Sequence, residues 1–529
     1  MVKYSALRAT IGVLLLALTG ALLWALWGFD AYYRQASANT SVQRTPAASP
    51  PAEREAAGPG GQTAQVPEPA DTTAGMQSTK VQSTEVESTH APTPSSAQVA
   101  RGQYLARVGN CVFCHTAPAG AMLAGGRAIQ TPFGTVHTSN LTPDAEHGLG
   151  RWTQDDFWQA LHLGLGPQGQ RLSPAFPYTS YSRLTRADAD ALWAFLRSVP
   201  AVPRPKTDAN MVWPFGTQTA LGLWRAMYFR PFQTANKDAA PAGAGPVAWT
   251  RGRYLVEGLG HCQECHSPRD ALGGLREATR GTGGVLPGLP WYAPSLRDAA
   301  QAGTTHVQAL QSFLQTGVGA GRFAAGPMAE VVLHGTQYLN DQDAQAMAVY
   351  LQSLVQGHSP PQGPNYAQAQ GLAEKPDAVI ASAAKQSTMS APLTTSKTLA
   401  ATNCVTQVCE KADKQTSTRR QGADIYTQHC ADCHGENGQG RAGIYPAMAG
   451  NRALLMDKPN NAVLSVLYGG FAPSTQGHAR PFGMPPFMLE LSNAQIAQVL
   501  SYTRSAWGNQ GAPISELQVQ AVRDPQQRR

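Results

Sequence analysis

The chain has 529 residues, 42% of them hydrophobic, which is enough to bury the cores of several domains and excludes a wholly disordered polypeptide. Only 14% of residues are charged, while 52 glycines and 39 prolines point to folded domains joined by unstructured tethers. The formal net charge is +7 but no short basic cluster stands out, which argues against a nucleic-acid partner.

Near the N-terminus, Ala9 to Phe29 reads "ATIGVLLLALTGALLWALWGF", 21 residues without a charge. As a helix it would span about 30 Å, the thickness of a bilayer core. Lys3 and Arg8 precede it, favouring a cytoplasmic N-terminus and an exported, periplasmic remainder. Segment 9–29 is therefore expected to be a transmembrane anchor in the cytoplasmic membrane. A cleaved signal peptide, with Ala36-Ser37-Ala38 as its small-residue site, is the rival reading. Residues 30–97 are rich in Ser, Thr, Pro, Ala and Gln without apolar periodicity, and read as a disordered tether with a root-mean-square reach of about 45 Å.

Three repeated units follow, expected at 98–205, 245–356 and 421–510, with a low-complexity linker at 357–420. "RGQYLARVGNCVFCH" (101–115) parallels "RGRYLVEGLGHCQECH" (251–266), and "GADIYTQHCADCH" (422–434) is a shorter version. Each unit ends in a second shared pattern: "LTRADADALWAFLRS" (184–198), "LNDQDAQAMAVYLQS" (339–353) and "LSNAQIAQVLSYTRS" (491–505). These start with N-cap residues Thr185, Asn340 and Ser492 and carry apolar residues at helical spacing, such as Leu192, Phe195 and Leu196. Few strand patterns lie between, so the fold class is mainly α, with an opening and a closing helix in each unit.

Six of the eight cysteines fall in three C-x-x-C-H motifs: Cys111, Cys114 and His115; Cys262, Cys265 and His266; Cys430, Cys433 and His434. Two thiols one helical turn apart suit thioether bonds to the vinyl groups of one haem, and the adjacent His offers its imidazole to the iron. A thioredoxin-like pair would not need His after every copy. A zinc site fits poorly with three well-separated copies. The expectation is three covalently bound c-type haems in three tandem cytochrome c-like domains. Their propionates would lower the net charge to roughly +4 or +1. The other two cysteines, Cys404 and Cys409 in "CVTQVC", are expected to form a local disulfide in an oxidising compartment.

The sixth iron ligand sets the potential, and methionine sulfur raises it. In "PFGMPPF", Met484 lies eight residues before its closing N-cap; in "AAGPMAEVV", Met328 lies twelve before its own. Both are expected to ligate iron, with Met448 in "YPAMAGN" a competitor for the third haem. The equivalent place in the first unit, in "LSPAFPYTSY", holds Phe176, which cannot ligate. His162, His137, His147 or Met122 could substitute; otherwise the iron takes water or stays five-coordinate.

On "TPFGTVHTSNLTPD", "PAFPYTSY", "LVEGLGHCQECHSPRD", "WYAPSL", "EVVLHGTQYL" and "FGMPPF", the chain resembles the tri-haem cytochrome c subunits of bacterial membrane-bound dehydrogenases. That family serves alcohol, gluconate and related sugar dehydrogenases and some molybdenum aldehyde or N-heterocycle hydroxylases. The resemblance implies an electron relay, not an enzyme. A periplasmic dehydrogenase partner (molybdenum hydroxylase, quinoprotein or flavoprotein) would oxidise the substrate, and quinone or another respiratory carrier would accept the electrons. It also supports Met328 and Met484, and the "PAFPY" form looks more like the molybdenum type. The alternative is a peroxidase-like enzyme or gas sensor built on an open first iron.

Overall fold

The computed structural model describes residues 94–232, 245–297, 307–319, 322–356 and 416–523. The expected anchor, nearly all of the tether, most of the linker and the Cys404–Cys409 pair lie outside the described residues. Among the described residues, no helix is long and apolar enough to cross a membrane.

From Ser96 onward the chain is mainly helical and builds the same helix crossing three times. In lobe 1 the opening helix Ser96–Val108 crosses the closing helix Arg186–Ser198; in lobe 2 Pro246–Arg253 crosses Asp341–Gln356. In lobe 3 a helix over 416–429 crosses Asn493–Ser505. The closing helices begin where the sequence places their caps. Thr185 Oγ1 accepts from the Asp188 amide at 3.2 Å, Asn340 Oδ1 from Asp343 at 2.8 Å and Ser492 Oγ from Gln495 at 3.2 Å. Leu192, Phe195 and Leu196 are buried, as their spacing predicts.

The crossings are close because a glycine stands at each. A Cβ added at Gly102 would lie 1.9 Å from the Ala191 carbonyl oxygen, at Gly252 1.9 Å from that of Ala346, and at Gly422 2.4 Å from that of Gln498. Lobe 2 carries one more residue than lobe 1 between its Arg-Gly pair and its first motif cysteine. The extra residue is absorbed by a π-helical turn, Tyr254–Leu259, in which the Gly260 amide reaches back to the Leu255 carbonyl at 2.7 Å. After it, Cys262 packs against the same hydrophobic cluster as Cys111.

One hydrophobic cluster runs through lobes 1 and 2, from Leu105 and Phe195 to Leu259 and Met347, whereas a separate cluster around Val463, Leu467 and Ile496 fills lobe 3. The first two lobes are also locked reciprocally. Arg251 pairs with Asp343 within lobe 2 at 2.7 Å, and Tyr104 of lobe 1 donates to the same carboxylate at 2.7 Å. Arg101 pairs with Asp188 within lobe 1, and Tyr254 of lobe 2 donates to that carboxylate at 2.6 Å. The segment between the expected domains adds a helix, Gln218–Tyr228, capped by Thr217. Its Arg225 donates to the Leu163 carbonyl of lobe 1, while Trp224 and Tyr228 bond Leu272 and Asp270 of lobe 2. Lobe 3 attaches through Asn461, which bonds both the amide and the carbonyl of Tyr292, and Asn460, which donates to Pro290. A final helix, Glu516–Arg523, buries Val519 and Val522 on lobe 3, past the expected limit of 510.

Two outcomes follow from this packing. Gly422→Ala must push the closing helix of lobe 3 away from its partner, and a loss of about 1–3 kcal/mol is expected in denaturant unfolding. Tyr104→Phe leaves Asp343 with Arg251 but without its second donor, a loss of about 1–2 kcal/mol. Burial opposes ionisation of Asp343, but hydrogen bonds from Arg251 and Tyr104 outweigh it and hold the carboxyl below its usual range. Its stabilising contribution is thus complete above the unfolded carboxylate pKa of about 4 and fades as pH falls through the lower folded value. The wild-type and Tyr104→Phe melting temperatures should therefore converge in acid.

Candidate haem sites

In all three motifs the His amide donates to the carbonyl of the first cysteine, four residues back: His115 to Cys111 at 2.9 Å, His266 to Cys262 at 3.0 Å and His434 to Cys430 at 2.9 Å. That single turn gathers both thiols and the imidazole, as the spacing predicts. It is entered through a left-handed residue in lobes 1 and 2, Asn110 at φ 56° and His261 at φ 38°.

Each motif histidine is then wired to a distant backbone carbonyl. His115 Nδ1 lies 2.7 Å from the Ser139 oxygen, His266 Nδ1 2.7 Å from that of Pro294, and His434 Nδ1 2.8 Å from that of Pro446. A carbonyl only accepts, so Nδ1 carries the proton and Nε2 keeps its lone pair, the tautomer a metal needs. Burial lowers the pKa of all three imidazoles, with the carbonyl bond pulling the other way. The neutral, ligating form is thereby favoured. Burial also pushes the thiols up, to about 12 for Cys111 and Cys262 and about 11 for Cys265 and Cys430. They rest as thiols, unlike the thiolates of a redox or zinc pair. The donor set fits one haem per motif.

A glycine makes each wire possible. Gly125, Gly283 and Gly440, at φ 73°, 84° and 64°, donate their amides to the carbonyls of His115, His266 and His434. A Cβ at Gly440 would lie 2.6 Å from the Ala447 amide, against the loop that presents Pro446. Neither these glycines nor the acceptor residues stand out in the sequence, because the acceptor is backbone and carries no residue-type signal.

The expected sixth-ligand positions are less uniform. Met484 sits on a short strand, Gly483–Met484, paired with Gly470–Phe471. It borders the lobe 3 core together with Cys430 and Met448, so the motif, the expected ligand and its competitor pack against one cluster. Met328 occupies the first turn of Pro327–His334 and packs by Phe313 and Val332, a cluster separate from the one beside Cys262. Phe176 is half-buried, its ring 5.4 Å from Tyr181. Among the substitutes named for the first iron, His162 lies on the helix Gln154–Leu163 and corresponds in register to Gln315 on the helix Val307–Thr316 of lobe 2, both two residues before the glycine that follows the helix. The His162 ring stacks on Trp158 at 4.6 Å with the buried Nδ1 meeting no hydrogen-bond partner, whereas Gln315 donates to the Leu339 carbonyl at 3.1 Å. His137 is held by the Asp208 carbonyl at 3.1 Å, His147 faces Glu146 at 3.9 Å and Met122 is exposed.

The first two motifs face one another. Tyr181 donates to the Gly109 carbonyl at 3.3 Å and lies close to Cys111 and Cys114, while its ring stands edge-on to His261 at 5.6 Å. Glu264, inside the second motif, accepts from Thr179 at 2.8 Å and Ser180 at 2.9 Å of lobe 1. Phe113, inside the first motif, stacks on His334 of lobe 2 at 4.6 Å.

A family model described as Cytochrome c matches residues 420–507. The chain is 34% identical over 446 residues to the cytochrome c subunit of the alcohol dehydrogenase (quinone) of Gluconacetobacter polyoxogenes, a match covering 82% of this chain and 86% of that one. It is 33% identical over 449 residues to the fructose dehydrogenase cytochrome subunit of Gluconobacter japonicus, covering 82% and 84%. It is also 33% identical over 427 residues to the gluconate 2-dehydrogenase cytochrome c subunit of Pantoea cypripedii, covering 78% of this chain and 87% of that one.

Replacing Met484 by Leu keeps its volume and removes only the sulfur, so stability should fall by less than about 1.5 kcal/mol. The low-temperature paramagnetic spectrum of the ferric protein should lose one His/Met signal. Phe176→Leu should lose none.

Proposed function

The chain belongs to the cytochrome c subunits of alcohol, fructose and gluconate dehydrogenases, and from that premise we propose that it is a membrane-anchored, tri-haem electron carrier serving a periplasmic dehydrogenase. Cys111 and Cys114, Cys262 and Cys265, and Cys430 and Cys433 would each hold one haem by thioether bonds. His115, His266 and His434 would supply Nε2 to the irons, and Met328 and Met484 a sulfur to the second and third. Bound haem supplies one-electron chemistry at the iron without making or breaking substrate bonds.

The chain's own residues prepare that task. Each Nδ1 bond to a fixed carbonyl holds the imidazole in one orientation and one tautomer, so little has to move when charge changes. Methionine at two sites and Phe176 at the first would set different potentials along the chain. Lobes 1 and 2, locked through Tyr104 and Tyr254 with their motifs face to face, would pass electrons within one rigid body. Substrate oxidation is assigned to the partner, and the named relatives support a dehydrogenase in that role. A quinoprotein, a flavoprotein or a molybdenum hydroxylase would fill it, with quinone or another carrier as acceptor. The segment 9–29 would keep the relay beside the membrane that holds such acceptors. The peroxidase-like reading needs an acid–base group at the first iron, from His162 or another group, and the His162 ring is stacked on Trp158.

One observation carries the proposal: the same Cys, Cys and Nδ1-wired His are built three times over. Intact-mass measurement should find the mature chain heavier than its polypeptide by three haems. Under denaturing, reducing conditions an alkylating reagent should reach Cys404 and Cys409 but none of the six motif cysteines, and Cys430→Ala with Cys433→Ala should remove one haem. A chain of bare polypeptide mass with all eight thiols reactive overturns the reading.

A further inference from the structure

The connector helix Gln218–Tyr228 spends one face on the lobes, through Trp224, Arg225 and Tyr228. Its other face is apolar and open: Leu223 and Met227, one turn apart, are 40% and 48% exposed. The turn before it displays Val212 at 61% and Trp213 at 83%. This turn is built, with the Val212 amide donating to Phe133 and Thr217 Oγ1 to Pro214, so the indole is held outward by fixed backbone.

These residues join into one surface. The Phe133 ring packs on Phe215 at 4.5 Å and would touch a side chain at Gly273. Next to that glycine, Leu272 is 41% exposed and its carbonyl takes the Trp224 indole. Single exposed apolar residues need no explanation, but a continuous belt crossing two lobes does. Its fringe is basic. Over 200–232, leaving aside the buried Arg225, the chain has Arg204, Lys206 and Arg230 against one acid, Asp208, and the Arg171 guanidinium would lie 3.2 Å from a Cβ at Gly222, beside Leu223.

An amphipathic helix with an outward tryptophan, aliphatic residues on its open face and a basic fringe matches the chemistry of a bilayer interface with anionic head groups. We infer that this connector face is a second, peripheral contact with the lipid surface, holding the joined lobes 1 and 2 against the bilayer. The inference rests on the anchored reading, which places lipid within the tether's reach of about 45 Å.

The test uses the full-length, haem-loaded chain in its native membranes, with the photo-crosslinking residue benzoylphenylalanine replacing Trp213, Met227 or, as control, Leu517, which is 75% exposed on lobe 3. After irradiation, mass spectrometry should find phospholipid adducts at 213 and 227 and few at 517. A membrane-held chain with no lipid adducts at 213 and 227, or with equal adducts at all three, overturns this inference alone. Adducts to a polypeptide at 213 and 227 overturn it in favour of a protein interface. A chain recovered from the soluble fraction overturns the anchored reading and this inference with it.

Discussion

Everything in the three lobes is arranged around one hydrogen bond, the Nδ1–H of a motif histidine to a backbone carbonyl. It fixes which nitrogen holds the proton, which way the ring faces and which nitrogen keeps its lone pair. To make it, a loop must come back to the motif from 24, 28 or 12 residues away. That return demands a left-handed glycine against the loop. In lobe 1 it also demands the buried Asn140, which ties the loop to the Val202 carbonyl and to Thr142. A small geometric requirement at one imidazole thus organises much of the irregular chain between the opening and closing helices.

The repeat has diverged where the lobes meet and kept its form where the helices cross. Phe113 of the first motif aligns with Glu264 of the second. The first stacks on His334, whereas the second accepts from Thr179 and Ser180 of lobe 1 and from Arg269. Burial of Glu264 would favour its neutral form, but Arg269 and the two hydroxyls outweigh it and keep the carboxyl below its usual range. One half of the contact is therefore aromatic and the other ionic, although the backbone is nearly the same.

Local signals made most of this legible in the sequence. The closing helices announce themselves by cap and spacing, and the motifs are contiguous. The connector helix had a local signal too, Thr217 before an apolar run, but it lay between expected domain limits at 205 and 245. What the sequence does not display is long-range. Tyr104 belongs to a visible repeat, but its partner Asp343 is 239 residues away. The acceptors at Ser139, Pro294 and Pro446 contribute only main-chain oxygen. His162 looks like a free imidazole until the fold shows its ring stacked against Trp158. The fusion of lobes 1 and 2 into one core follows from which faces meet, and no single helix pattern encodes that.

The reciprocal tyrosines also govern how such a chain can be reshuffled in evolution. Each of the first two lobes completes the other's ion pair, so transplanting one copy alone would strand a donor on one side and a carboxylate on the other. The seam before lobe 3 asks for less. Asn460, Asn461 and Thr475 bond only main-chain atoms of lobe 2, and a foreign neighbour with the same backbone course would satisfy them. Lobes 1 and 2 are thus joined through side chains specific to each, whereas these hydrogen bonds hold lobe 3 through main-chain atoms of lobe 2 alone.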